Sequence, residues 1–189
     1  MQAPDDSAVA PDVHLWRRAA AGDREAFGAL FERHAEAVWN HAYRLTASWS
    51  QAEDLTSSTF LLAWRKCAEV TLVRDSALPW LYTVAGNLAR TEFRGAGRFR
   101  SALRRIPDEL VADHSDAVAE RVDGDRRMVT VLAAVRRLPK AERQAVELCL
   151  LGELPTADAA QALGIAEASV RSRVSRARAR LRTMLEDQP

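Results

Sequence analysis

The stretch IAEASVRSRVSRARARLR, Ile165 to Arg182, decides how this chain is read. Arg171, Arg173, Arg176, Arg178, Arg180 and Arg182 crowd it, and Glu167 is its only acid. Val170, Val174, Ala177 and Leu181 recur at i, i+4, i+7 and i+11, one stripe of a helix. An apolar seam with arginines over the remaining surface describes a helix that packs on one side and presents cations elsewhere. Just upstream, TADAAQALG (Thr156 to Gly164) forms a short helix that Gly164 can end in the left-handed conformation. Helix, glycine-containing turn and basic helix make the helix-turn-helix pattern, whose second helix enters the DNA major groove. The competing reading is an amphipathic helix with arginines spread for solubility. The turn and first helix standing where the motif needs them argue against it.

Working outward, the remaining chain reads as all-α: no stretch alternates as a strand should. Residues 1–11 read as a disordered tail. A first short helix starts at Asp12 and ends at Gly22, after which Asp23 caps a longer one. Phe27, Leu30, Phe31, His34, Val38, Ala42 and Leu45 form its apolar stripe. Ser50 to Glu53 reads as a capping box for the next helix, with Asp54 adding an acid to its first turn. That helix carries Leu55, Thr59, Phe60, Leu62, Ala63, Trp64 and Cys67 over more than one face, which suits either a partner surface or burial on two sides.

Ser76 opens a further helix with Pro79 in its first turn. Trp80, Leu81, Val84, Ala85 and Leu88 mark its buried side, while Asn87, Arg90, Thr91 and Arg94 line another. Trp80, Tyr82, Phe93 and Phe99 interleave with arginines, a combination that suits single-stranded DNA, where bases stack and phosphates need cations. The plainer reading is a core tryptophan beside a solvated arginine face. Residues 107–125 carry Asp108, Glu109, Asp113, Asp116, Glu120, Asp123 and Asp125 against Arg121 alone, and read as an acidic linker. Fully extended, such a segment spans roughly 60 Å, enough for two modules to grip separate sites on one duplex. Arg126 to Leu138 and the segment after Pro139, ended at Gly152, supply two more helices.

The net charge of +1 leaves a nucleic-acid partner open; the local distribution of arginine carries that inference. Cys67 and Cys149 fit no metal spacing and read as buried, reduced thiols. His34 and His41 lie near one stripe without a third ligand, so no metal or other cofactor is expected. MQAPDDSAVAPD shows no signal-peptide pattern and no apolar run approaches membrane-spanning length, so a cytoplasmic protein is expected.

Four blocks in order carry a resemblance that covers nearly the whole chain: DREAFGALFERHAEAVW, AEDLTSSTFLLAW, LPWLYTVAGNLARTEFR, and the long block from Leu138 to Arg182. Together they resemble an RNA polymerase sigma factor of the extracytoplasmic-function (ECF) class. The resemblance implies a region 2 module (12–106) that binds the polymerase β′ coiled coil and opens the −10 element. It also implies a region 4 module (126–186) that reads the −35 element and contacts the β flap. Carried over by position, Ala52, Glu53, Asp54, Leu55, Phe60 and Trp64 belong to the core-polymerase-binding helix. Trp80, Asn87, Arg90 and Arg94 fall in the block that melts and holds the −10 strand. Ser169, Arg171, Ser172, Ser175 and Arg176 occupy the −35 face of the recognition helix. Their arginines can pair with guanine or phosphate, and their serines can bond either.

The resemblance further implies control by an anti-sigma factor, for which no residue here is diagnostic. Several positions depart from the family pattern. Thr56, Ser57 and Ser58 follow AEDL where valine, glutamine and an acid are usual, and Thr91 follows NLAR where a charged residue is common. Pro155 replaces a capping serine, a role left to Thr156, and Ala159 and Ala162 replace larger aliphatics. Two rivals remain. A stand-alone helix-turn-helix regulator would need no AEDL or LPWLY block. A small metal hydrolase would need a ligand or nucleophile cluster, and His14, His34, His41 and His114 are scattered.

Overall fold

The computed structural model describes residues 10–72, 75–103 and 122–186, the side chains of 94–103 and 122–126 excepted. The expected tail (1–11) and acidic linker (107–125) fall almost wholly outside the described residues, and so do the side chains of Arg94 and Phe99. Among the described residues the elements are α1 (Asp12–Ala20), α2 (Arg24–Thr46), α3 (Trp49–Lys66), a 3₁₀ turn (Cys67–Glu69), α4 (Leu78–Leu103), α5 (Val122–Arg137), α6 (Lys140–Val146), a π turn (Glu147–Leu151), α7 (Thr156–Leu163) and α8 (Glu167–Glu186). They include no strand, and no helix long and apolar enough to cross a membrane.

Local chemistry sets most boundaries. Asp23 caps α2 by accepting from the Ala26 N–H at 3.1 Å, one of the donors a helix start leaves unpaired. Ala47 closes α2 in the left-handed conformation (φ 53°), so the chain reverses in two residues and α3 starts at once. Its cap is therefore Ser48, which accepts from the Gln51 N–H at 3.5 Å, and not the expected box from Ser50 to Glu53. Glu53 instead accepts from the Trp49 indole at 2.9 Å. The fourth helix begins at Leu78, two residues after Ser76, whose hydroxyl accepts from the Leu78 N–H at 3.2 Å. The fifth starts at Val122, earlier than the expected Arg126.

The first module buries Leu15, Leu30, Val38, Leu55, Phe60 and Leu81 between α1, α2, α3 and α4. Phe31 departs from the expected stripe and is exposed. Asp12, buried at the start of α1, holds the module together across the sequence. It pairs with Arg33 and His34 at 2.6 Å and accepts from the Ala77 N–H at 2.7 Å. Burial raises its pKa, but these hydrogen bonds prevail and bring the carboxyl down to about 2. His34 is thus satisfied. His41 is not: it is buried against the Tyr82 ring (centroids 4.1 Å apart), with no hydrogen bond of ordinary geometry at either nitrogen. Burial pushes its pKa down to about 4, with weaker backbone contacts from Leu151 and Tyr82 opposing.

The second module packs Val135, Leu138, Val146 and Ala177 together on one side of α8. The two modules are docked. One core runs continuously from Leu81 and Tyr82 into Leu148, Leu154, Ala159 and Ala160. The alanines in place of larger aliphatics let α7 lie against α4, and Ala159 is fully buried there. Cys67 is buried, as expected, but Cys149 is only half-buried.

Candidate nucleic-acid interface

The helix-turn-helix face is built around Gly164, which ends α7 at φ 64°, ψ 37°. This is the left-handed conformation that glycine adopts without the cost of a Cβ. Three residues later α8 begins, and Val170, Val174 and Ala177 turn inward. Two acids fix its setting. Glu142 on α6, buried, faces Arg180 Nε at 3.1 Å and Arg176 Nε at 3.7 Å. Glu167, in the first turn of α8, accepts from Arg171 at 2.6 Å and from the Thr156 hydroxyl at 2.7 Å. Thr156 therefore does not cap α7, as expected of it; it is the first helical residue and ties α7 to α8, while Pro155 takes the cap position.

Outward from this frame, Ser169, Arg171, Ser172, Ser175 and Arg176 are all exposed along one helix. The Arg171 and Arg176 side chains are 59% and 60% exposed. Solvent-exposed cations and hydroxyls along one helix are what base-edge and phosphate contact requires.

The −10 candidates are placed differently. Trp80 is half-buried, edge-on to Trp16 with centroids 5.2 Å apart. Asn87 is exposed and accepts from Arg90. Arg90 itself is only 13% exposed and is paired with Glu147 of the π turn, itself 9% exposed. Burial raises the Glu147 pKa, opposed by Arg90 and Arg143. Tyr82 and Phe93 face inward or across: the Tyr82 hydroxyl donates to the Ala37 carbonyl at 3.2 Å, and Arg136 lies 3.7 Å over the Phe93 ring. Of the aromatics expected to stack on bases, these two serve internal packing.

The six core-binding candidates divide. Ala52, Leu55 and Phe60 are buried in the module's own core, whereas Glu53 and Asp54 are exposed on α3. Trp64 is half-buried, edge-on to Phe27 at 5.0 Å. Thr56 also points inward, its hydroxyl donating to the Ala52 carbonyl at 2.7 Å, so that departure from the family pattern is an internal one. Beside Glu53, an aromatic group of Trp39, Tyr43 and exposed Trp49 escaped the sequence reading. Its members lie on two helices, and Trp49 sits next to a cap, where periodicity says little. Glu142 and Glu147 were missed as well. The available signal was an acid recurring among apolar neighbours in KAERQAVELCLL.

Comparison with known proteins bears on the same two modules. Residues 30–99 match the family model for sigma-70 region 2, and residues 128–181 match that for sigma-70 region 4. The chain is 32% identical over 177 residues to the ECF RNA polymerase sigma factor SigL of Mycobacterium tuberculosis, covering 89% of this chain and 94% of SigL. It is 32% identical over 186 residues to the ECF RNA polymerase sigma factor BldN of Streptomyces coelicolor, covering 96% of this chain and 69% of BldN. Among solved structures it resembles CnrH in complex with the cytosolic domain of CnrY, with a TM-score of 0.64 and 25% identity over 94% of this chain and 99% of that one. It also resembles the sigma factor RpoE bound to the anti-sigma factor NepR from Bartonella quintana, with a TM-score of 0.55 and 28% identity over 84% and 96% of the two chains. Two sigma modules in order, a basic second helix with its cationic face outward and relatives about a third identical over most of this chain lead to one conclusion: the chain belongs to the ECF class of RNA polymerase sigma factors, which bind core polymerase and direct promoter-specific initiation.

Proposed function

We propose that the exposed serine and arginine face of α8 (Ser169, Arg171, Ser172, Ser175 and Arg176) reads the −35 duplex, and that Trp80, Asn87, Arg90 and Arg94 hold the unstacked −10 strand. The observation that carries this reading is the setting of α8: Glu142 and Glu167 pair with its arginines without covering them, so the serine and arginine face stays exposed. In this division of labour, 12–106 forms region 2, 107–125 the tether and 126–186 region 4. Exposed Glu53 and Asp54 contact the β′ coiled coil, with Ala52, Leu55, Phe60 and Trp64 shaping the helix that presents them. The protein acts in the cytoplasm alongside the polymerase, which does the chemistry, so this chain needs no catalytic group or cofactor of its own. The likeness to CnrH and RpoE, each solved with a protein partner, supports an anti-sigma factor as a further partner.

Run-off transcription tests the reading. Purified core polymerase is given a genomic promoter library with and without the protein. A discrete set of new starts sharing spaced −10 and −35 elements supports it. No stimulation, alongside specific duplex binding by the protein alone, would replace it with a stand-alone regulator. Asp54→Ala should weaken core binding while leaving the protein's melting unchanged, because the side chain is exposed.

A further inference from the structure

The contact between the two modules is built from specific groups. Arg90 on α4 is buried against Glu147, which lies 57 positions away and opens the π turn. Arg143 Nε adds a second cation 3.7 Å from the same carboxylate. Arg44 on α2 donates to the Leu151 carbonyl at 3.0 Å and pairs with Glu153 at 3.2 Å. Two glycines let the surfaces meet. A Cβ at Gly86 would stand 3.2 Å from Glu147 Oε2, and one at Gly152 would stand 2.8 Å from the Tyr82 ring and 2.7 Å from the Leu148 carbonyl. The π turn, a rare form that is frequent at functional sites, lies at this contact. A charged pair hidden between two modules costs desolvation on both sides, which the attraction between its members must offset.

The same contact withdraws Arg90 from solvent, leaving Asn87 exposed at the edge. It is also imperfectly filled. A pocket of about 240 Å³ remains between Leu45, Ala89 and Phe93 on one side and Leu132, Val135 and Leu151 on the other. Apolar surface left wet in this cleft is burial that docking forgoes, which holds down the energy of closure. A latch with a buried ion pair and an underfilled interior can hold and can let go.

We propose that this docked arrangement is a self-masked state, in which Glu147 occupies Arg90 in place of the −10 strand until the modules part. The proposal rests on the assignment of Arg90 to the −10 face. Glu147 and a DNA phosphate offer the guanidinium the same chemistry, an oxyanion with paired acceptors. One excludes the other. The apparent affinity for single-stranded DNA then falls by the fraction of molecules that are open.

The test uses the full chain and two readouts: the radius of gyration in solution, and affinity for a short randomised single-stranded DNA pool. Glu147→Arg sets like charges against Arg90 and Arg143, and should expand the protein and tighten strand binding by at least roughly fivefold. Glu147→Gln keeps the shape, removes the charge and should move both readouts the same way by less, which covers the case in which the reversal fails to fold. The double variant Arg90→Glu with Glu147→Arg should be compact again but bind strand no better than Arg90→Ala. Unchanged size and unchanged strand affinity in both Glu147 variants would overturn the proposal. Expansion without a gain in affinity would also overturn it, and Arg90→Ala then locates the fault. If that variant loses strand binding, the masking is wrong; if it binds as the parent does, the assignment of Arg90 to the −10 face is wrong.

Discussion

Arg90 and Arg171 are the same residue type on the surface of a helix, each next to a glutamate, yet one is hidden and the other presented. Arg171 pairs with Glu167 one turn away on its own helix, an i, i+4 contact that leaves the guanidinium 59% exposed. Such a contact is a weak, solvent-screened brace. Arg90 pairs with Glu147 on a different module and keeps 13% of its exposure. The acid on the same helix leaves its cation in solvent, whereas the acid across the module contact withdraws its own. On the proposed assignments, the −35 face is therefore ready in the free protein, and the −10 face is held.

The largest expected effect falls on the ready face. Arg171→Ala combined with Arg176→Ala removes two side chains, each able to supply about 1–3 kcal/mol of base discrimination. Promoter-specific run-off should fall by about 10²-fold while core binding, measured by co-migration with polymerase, is unchanged. The held face depends on the integrity of the first module, and Asp12→Asn tests that. It removes the charge that Arg33, His34 and the Ala77 N–H converge on, and should cost about 3 kcal/mol in thermal or denaturant unfolding.

Acid separates two contributions. The folded pKa of His41, about 4, lies below its unfolded value near 6.5, so the unfolded chain takes up the proton first. Stability is complete above pH 6.5 and drains as pH falls toward 4, by up to about 1 kcal/mol over the first unit. The carboxyl of Asp12, at about 2 against 3.8, also contributes stability that is present at high pH and lost lower down, between 3.8 and 2. Denaturant titrations at stepped pH should show the upper limb disappear in His41→Phe, which keeps the ring stacked on Tyr82, and the lower limb remain. The smallest effect is Gly86→Ala. Helix propensity favours alanine by about 1 kcal/mol, but its Cβ presses on Glu147, so melting should change by less than that while the radius of gyration drifts upward.

Much of the geometry of the α7–α8 turn and of the exposed α8 face was legible because its signals are local. The stripe from Val170 to Ala177, the glycine at 164 and the arginine spacing all lie within one helix-turn-helix. The same locality misled at helix starts. Ser50 and Glu53 satisfy a capping box on paper, but the left-handed turn at Ala47 had already committed Ser48 to the task. Both readings of the block around Arg90, strand binder or solvated arginine face, left that side chain open, because nothing in LPWLYTVAGNLAR announces a partner 57 positions on. Nor does periodicity separate Leu55 and Phe60 as core residues from Glu53 and Asp54 as surface ones when a helix is apolar on more than one face. That distinction comes only with packing.

The most direct measurement is the distance between the modules, by double electron–electron resonance between spin labels at Gln51→Cys on α3 and Arg182→Cys on α8, both exposed, in a Cys149→Ala background. In the free protein the account predicts one short, narrow distance that broadens and lengthens in Glu147→Arg and lengthens again when core polymerase is added. A free-protein distribution already as long and broad as that of the polymerase complex would contradict it, because no molecule would then be closed for Glu147 to mask.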